Sequence, residues 1–511
     1  MDDELSRADF TGLSDEHRRL SIQTLYAGLG ARYRELESTI YDARGYRQSF
    51  AKFAADYPVL LSTCHSLRRN LPSGQLLDYL IIDEASQVDL LAAGAALSSC
   101  RNLVVVGDLQ QLPHIANDAA RDTVAPLPAY DYNKHSILSS LRALYQEQLA
   151  STLLREHYRC EPAIIGFCNK SFYQGRLVPF TQSEVERPMI VWRTAEGNHM
   201  RQHQGGGRSN QREVDVIVNE VIPQNCAGVS RTDIGVVTPY RRQANKVTHA
   251  FVEEIEKIDA DTVHKYQGRQ KDVMVMTTVL DETWRGQTGL QFVDDPHLIN
   301  VAVSRAAKKF ILVTNHDLLS KSRHIRDLID YIGYQDLGGG VSDSEVVSIF
   351  DLLYRRYSER LGSLAARLRN ELKYRSEDIA WTVLHDVLGE SPYRHLAVSS
   401  QVLVRNLLAD VERLTPRQAS YVAHRASVDF VVYNRVSNRP LLAIEVDGFA
   451  YHKNNPAQLE RDSLKNEILH AYGLPLLRLP TTGSGEEQKI RTALDQADAH
   501  WVQVATQGSD L

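Results

Sequence analysis

Asp83 and Glu84 stand side by side at the end of the apolar run LLDYLIID (76–83). Two adjacent carboxylates at the C-terminal end of a buried strand are costly unless they are used. One can hold Mg2+ through water, and the other can align and deprotonate an attacking water. Further on, VVVGD (104–108) runs into Leu109-Gln110-Gln111-Leu112-Pro113, where an amide side chain can sense a terminal phosphate. Near the other end, Asp429 lies in VDFVVYN (428–434), and Glu445 and Asp447 lie in PLLAIEVDG (440–448). Strand alternation puts 445 and 447 on one face. Asp…Glu-x-Asp across two neighbouring strands can bind one or two Mg2+ and activate water against a phosphodiester. Each piece alone is weak, because acidic residues at strand ends are more often ordinary surface groups.

The elements that must position these residues are legible in the hydrophobic pattern. Leu20, Ile22, Leu25, Leu29 and Tyr33 recur at helical spacing, so residues 1–57 read as helical. From Pro58 the texture changes to apolar runs ending in small or acidic residues: VLLSTC (59–64), LLDYLIIDEA (76–85) and LVVVGD (103–108). MIVWRT (189–194), DIGVVTP (233–239), DVMVMTTV (272–279) and KFILVTN (309–315) repeat that texture. Continuous apolar strands alternating with helices predict parallel sheets covered on both faces. Gly338-Gly339-Gly340 followed by VSDSE reads as a linker, with Arg-rich helices over 346–388 after it. A strand pair (428–434, 440–448), a polar helix (456–471) and a last strand (474–480) make a third α/β unit.

Composition bounds the partners. The 511 residues carry net charge -6, so nucleic acid would be met by local basic patches, not by a global field. Five scattered cysteines without a C-x-x-C pair fit a reducing compartment and argue against structural zinc. The start MDDELSRADF is acidic and polar, unlike a secretory signal, and no apolar run approaches the ~18–20 residues of a membrane span. The expected location is the cytoplasm, with no membrane partner.

The order of the motor pieces resembles superfamily 1 helicases, in the branch that includes the nonsense-mediated-decay helicase. Asp83-Glu84-Ala85-Ser86-Gln87 matches motif II, and Gly107-Asp108-Leu109-Gln110-Gln111-Leu112-Pro113 matches motif III. REHYRCEP, containing Arg159, matches the Q-Y-R-x-x-P element and is followed by SFYQGRL (171–177). Thr238-Pro239-Tyr240-Arg241 matches the T-P-Y element. The run from Thr262 through Gln267 and Gly268 to Asp272 matches motif V, and Asn300-Val301-Ala302-Val303-Ser304-Arg305-Ala306 matches motif VI. The resemblance spans residues 58–316 and implies two tandem RecA-like parallel-sheet domains with ATP between them. It implies Asp83 as Mg2+ ligand, Glu84 as catalytic base and Gln111 at the γ-phosphate. Arg159 and Arg305 would be arginine fingers, a role suited to a planar guanidinium. Gln267 and Gly268 would bind the nucleotide and couple its cleft to that of a single strand, of DNA by preference, touched by Thr63, Thr238, Pro239 and Thr262. Two positions depart from the family: Gln270 where Glu is usual, and Ser304 where Thr is commoner.

One family part is missing from these residues. The phosphate loop G-x-x-x-x-G-K-[ST] holds phosphates and Mg2+, yet no Gly-Lys-Ser or Gly-Lys-Thr occurs in the sequence. The family's loop lies N-terminal of motif II, so the first RecA-like domain is expected to be incomplete. A protein partner or a missing N-terminal segment would supply the loop. The alternative is a motor decayed into a scaffold.

The C-terminal residues resemble the PD-(D/E)xK nuclease superfamily, in particular very-short-patch-repair-like domains, a restriction-endonuclease-like α/β fold. Asp429, Ile444-Glu445-Val446-Asp447-Gly448, Tyr451-His452, Glu460-Arg461-Asp462 with Lys465, and Gly473-Leu474-Pro475 carry that likeness over about 375–482. It implies Asp429 and Glu445 as metal ligands. Asp447 occupies the superfamily's Lys position. Lys465 from the next helix is the candidate replacement, with His452 as the alternative, and Glu377 is a further candidate acid. Arg355, Arg356, Arg360, Arg367, Arg369, Lys373 and Arg375 could track a phosphate backbone, but interleaved acids favour a solvated face.

The expected organisation is therefore a helical remnant (1–57), the rest of a first RecA-like domain (58–148), a second (149–335), a linker with Arg-rich helices (336–374) and a nuclease domain (375–500). The expected function is an ATP- and Mg2+-dependent helicase joined to a metal-dependent nuclease. The alternatives are a non-hydrolysing nucleic-acid-binding subunit and a nuclease indifferent to ATP.

Overall fold

The computed structural model describes residues 10–33, 41–42, 45–116, 124–197, 200–203, 205–252, 257–281, 284–315, 322–354, 356–369, 372–408, 410–424, 426–448 and 456–507. It divides into two compact units, residues 1–107 with 114–146, and residues 108–113 with 147–511.

The first unit holds helices α1 (Phe10–Tyr33) and α2 (Cys64–Asn70), strand β1 (Leu77–Ile82), helix α3 (Leu90–Leu97) and strand β2 (Cys100–Val105). β1 and β2 pair in parallel, with Leu80 opposite Leu103 and Ile82 opposite Val105. Asp89 starts α3 by accepting the amides of Leu91 and Ala92, as an N-cap carboxylate does. Leu80, Ile82, Ala93 and Ala96 form the core with Phe50, Leu67 and Ile137. The other face of β1 is open: Tyr79 and Ile81 are exposed. The run 59–64, expected as a strand, pairs with none of the described strands. Leu61 is 95% exposed, so its apolar run has no neighbour to ladder against.

The second unit is built on a six-stranded sheet. Its strands are β3 (Met189–Thr194), β4 (Ile234–Thr238), β5 (Asp259–Thr262), β6 (Lys271–Thr277), β7 (Ala306–Asn315) and β8 (Val341–Asp343). Their spatial order is β8-β3-β7-β6-β4-β5, and every pairing is parallel. The apolar runs expected here as strands are strands. Their side chains alternate between two cores: Met274, Met276, Phe310 and Leu312 pack on one face, and Val273, Val275, Ile311 and Val313 on the other. Burial on both faces is why these strands read as continuous hydrophobic runs. The glycine-rich stretch expected as a linker instead leads into β8, where Val341 pairs with Val191. Three residues at a sheet edge are too few to show periodicity.

Beyond β8, a smaller sheet takes the order β9 (Leu396–Leu403), β10 (Ser427–Asn434), β11 (Pro440–Asp447), β12 (Leu476–Pro480). β9, β10 and β11 run antiparallel, and β11 and β12 parallel. The hydrophobic pattern does not announce β9, because Ser399, Ser400 and Gln401 interrupt it. In place of continuous helices over 346–388, the chain makes 3-10 turns at Ile349–Leu353 and Glu359–Leu361, a short helix at Gly362–Ala365 and a longer one, Arg375–Gly389. The two sheets of this unit are tied by buried polar bonds. Arg212 Nη2 pairs with Asp351 Oδ2 at 2.8 Å, both side chains almost wholly buried. Glu486 accepts from Ser348 Oγ at 2.8 Å and from Ile349 N at 3.1 Å. Among the described residues, no helix is long and apolar enough to cross a membrane.

Candidate functional site

Asp83 and Glu84 follow β1 in the first unit. Asp83 Oδ1 accepts the amide of Glu84 at 2.8 Å, and Gln87 Nε2 donates to Glu84 Oε2 at 3.2 Å. Glu84 has φ +50°, a left-handed conformation that costs about 1–2 kcal/mol for a residue with a β-carbon. Gly107 lies close by: a β-carbon there would come within 3.0 Å of the Ala85 amide nitrogen. Thr63 precedes helix α2 in the same unit and is exposed.

Gln111 belongs to the second unit, where residues 108–113 pack. Gln111 Oε1 accepts from Arg305 Nη2 at 3.0 Å and from Gln267 Nε2 at 3.4 Å. Its Nε2 donates to Asp108 Oδ2 at 3.2 Å. Two residues to which the sequence assigned no role hold this loop. Tyr173 donates its hydroxyl to Asp108 Oδ2 at 2.5 Å. Asn300 donates to Gln110 O at 2.9 Å and to the Tyr173 oxygen at 2.8 Å. Tyr173 lies within SFYQGRL and Asn300 opens motif VI, so the motifs themselves carried the signal. Arg305 is 3% exposed, whereas Arg159 is exposed. Both guanidiniums act on the buried Cys160 thiol, but burial dominates and pushes it up to about 12. Gly268 has φ +81°, which suits glycine.

Thr238 and Pro239, expected to touch nucleic acid, are buried at the end of β4. The Thr238 hydroxyl accepts the Tyr240 amide at 3.5 Å. Both side chains are therefore buried here, β4 being an interior strand of its sheet. Thr262 is half-buried at the end of β5.

In the smaller sheet, the neighbouring strands β10 and β11 bring Asp429 and Glu445 together. Lys465, from the helix Pro456–Ala471, donates to Glu445 Oε1 at 2.8 Å and to Ser427 O at 2.8 Å. Asp429 Oδ2 accepts the Val446 amide at 2.8 Å. Burial raises both carboxyls above their ordinary range, and Lys465 opposes the shift in each. The Asp429 charge raises Glu445 further. Asp447 pairs with Arg478 Nη1 at 2.8 Å, so its charge is already answered. Glu377 is raised by burial and then by Asp429 and Glu445, which places all three acids in electrostatic reach. Among the described residues, no three acidic, His or Cys side chains are grouped tightly enough to hold a metal by themselves. Asp429 and Glu445 are thus neighbouring carboxyls, the charge of the first disfavouring that of the second. His452 and Tyr451 lie outside the described residues, as does Arg355. Arg367 pairs with Asp386 and Arg360 with Glu345, which uses part of the Arg-rich stretch internally.

Two family models described as AAA domains match residues 6–116 and 134–317. The chain is 26% identical over 331 residues to the DNA replication ATP-dependent helicase/nuclease DNA2 of Bos taurus, covering 58% of this chain and 30% of that one. It is 26% identical over 298 residues to the regulator of nonsense transcripts 1 homolog of Neurospora crassa, covering 54% and 26%. It is 27% identical over 274 residues to helicase SEN1 of Saccharomyces cerevisiae, covering 50% and 12%. Residues 6–317 are of the superfamily 1 helicase type. The chain spans less than a third of the length of these relatives. Outside the superfamily 1 helicase region, residues 369–497 match a protein family of unknown function (DUF2726). Within the helicase region, Arg305, Gln111 and Gln267 form one hydrogen-bonded cluster.

Proposed function

We propose that this chain is the motif-II-to-motif-VI part of an ATP-dependent helicase acting on single-stranded DNA, joined to a metal-dependent nuclease. What carries the reading is the Gln111 carboxamide, whose one oxygen serves both Arg305 and Gln267. A γ-phosphate offers a stronger acceptor than an amide, so it would draw Arg305 off Gln111. Gln267, released with it, would pass the change to the motif V segment. Asp83 would hold Mg2+, and Glu84 would take the proton from the attacking water. Arg305 would neutralise charge building on the phosphoryl group, with the exposed Arg159 as the second finger. Thr63 and Thr262 remain the candidate strand contacts, together with backbone around Thr238 and Pro239.

In the nuclease half, a bound divalent cation would lower the pKa of water and offset phosphate charge. Asp429 and Glu445 would hold it. Lys465 favours the charged form of the buried Glu445 and can share a phosphate oxygen, which fits its standing in for the lysine absent at 447. Asp447, bound by Arg478, orients that guanidinium beside the site.

Hydrolysis needs a phosphate loop, and no Gly-Lys-Ser or Gly-Lys-Thr lies among these 511 residues. The test is ATP turnover with single-stranded DNA, for this polypeptide alone and mixed with the product of the coding sequence adjoining it upstream. The expected result is no turnover alone, and turnover in the mixture that Glu84→Gln abolishes. Turnover by the polypeptide alone contradicts the reading. No turnover in either favours a non-hydrolysing nucleic-acid-binding subunit. Cleavage lost in Glu445→Ala but indifferent to ATP favours a nuclease acting alone.

A further inference from the structure

Gln401 sits in β9 where Asp429 sits in β10, between the pairs Ser400–Phe430 and Val402–Val428. Its φ is +52°. A β-strand gains nothing from a left-handed residue, and for a side chain with a β-carbon the conformation costs about 1–2 kcal/mol. Such strain persists where the surroundings over-determine it, and it concentrates at functional sites. Here the strained residue faces the carboxyl cluster. Gln401 Nε2 donates to Glu377 Oε2 at 3.1 Å. The same carboxamide stands across the ladder from Asp429 and favours its charged form. The Asp429 charge otherwise repels that of Glu377. Asp429 is held from its other side by the Val446 amide.

We propose that Gln401 is a positioning residue of the candidate nuclease site: its kinked backbone aims one carboxamide at Glu377 and Asp429, orienting Asp429 towards the cation it would share with Glu445. The inference rests on the nuclease reading and adds a residue to it. Gln401 touches neither substrate nor cation in this role. It acts through Asp429.

The test is Mn2+ binding to the full chain, followed by electron paramagnetic resonance, beside cleavage of single-stranded DNA. Wild-type protein should bind Mn2+ at a site lost in Glu445→Ala. Gln401→Ala and Gln401→Gly should each weaken that site by about ten-fold or more, the usual effect of removing a partner that orients a ligand. Glycine adopts φ +52° without strain, so Gln401→Gly should melt no lower than wild type, separating lost orientation from lost folding. Cleavage at saturating Mn2+ should show a lower kcat with an unchanged KM for DNA. Wild-type Mn2+ affinity in both variants, with cleavage intact, overturns the role of Gln401 and leaves the nuclease reading standing. Wild-type protein that neither cleaves nor loses Mn2+ binding in Glu445→Ala overturns both.

Discussion

Arg305 and Gln111, far apart in the chain, meet through a single hydrogen bond of 3.0 Å from Nη2 to Oε1. A bound γ-phosphate would compete for the same guanidinium. In an assembly that hydrolyses ATP, Arg305→Ala should lower kcat by about 10^3-fold or more, the scale of an arginine finger. Arg305→Lys should recover little, because an ammonium cannot reproduce the planar fork. Steady-state ATPase kinetics check this, and near-wild-type turnover in Arg305→Ala would remove Arg305 from the mechanism.

Glu213 should make stability fall as pH rises. The side chain is wholly buried, and burial raises its pKa to about 7 against the hydrogen bonds it accepts from Thr277, Thr278 and the amides of Val279 and Leu280. Between its ordinary value of 4.5 and about 7 the folded protein holds a proton that the unfolded chain has released. The folded state is thus favoured below that window and loses the advantage across it, by roughly 3 kcal/mol in all. Urea unfolding from about pH 4.5 to about pH 8, compared with Glu213→Gln, measures the slope. Equal slopes in the two proteins would contradict it.

Arg212 and Asp351 pair across the junction of the two sheets in the second unit, out of reach of water. Removing one partner leaves a buried charge uncompensated, at a cost of about 3–5 kcal/mol. Asp351→Ala should lower the unfolding midpoint accordingly. The double replacement Arg212→Met with Asp351→Leu should regain most of it, because well-packed apolar groups remove both charges together. A double replacement no more stable than Asp351→Ala would show that packing around the pair, not the uncompensated charge, sets the cost.

Lys465 and Glu445 pose the same question at the candidate nuclease site. Both are nearly buried and bonded at 2.8 Å. Lys465→Met should raise the Glu445 carboxyl further, because burial already raises it and Lys465 is the foremost group holding it down. Thermal unfolding of Lys465→Met should therefore lose most stability near neutral pH and recover it on acidification, as Glu445 takes up a proton. An unfolding midpoint independent of pH over that range would mean that Glu445 is charged by some other partner.

Much of the motor is legible in the sequence. Parallel strands buried on both faces must be apolar throughout, so β3, β4, β6 and β7 announce themselves locally, as do the motif residues at their ends. The exceptions share a cause. Residues 59–64 have strand composition but no neighbour to pair with among the described strands. Val341–Asp343 has a neighbour but too few residues to show a period. β9 carries Ser399, Ser400 and Gln401 where a strand pattern calls for apolar residues.

The sequence by itself determined which chemical groups are present and in what order: the Asp83-Glu84 pair, Gln111, Arg305, Asp429 and Glu445. Those follow from residue type and short spacing, which are local properties. Tertiary structure alone decided that Gln111 meets Arg305, that Tyr173 and Asn300 hold its loop, that Thr238 is buried, and that Gln401 bonds Glu377 across from Asp429. Most of these are contacts between side chains far apart in the chain. Hydrophobic periodicity records which face an element buries, but it carries no record of what that face will meet.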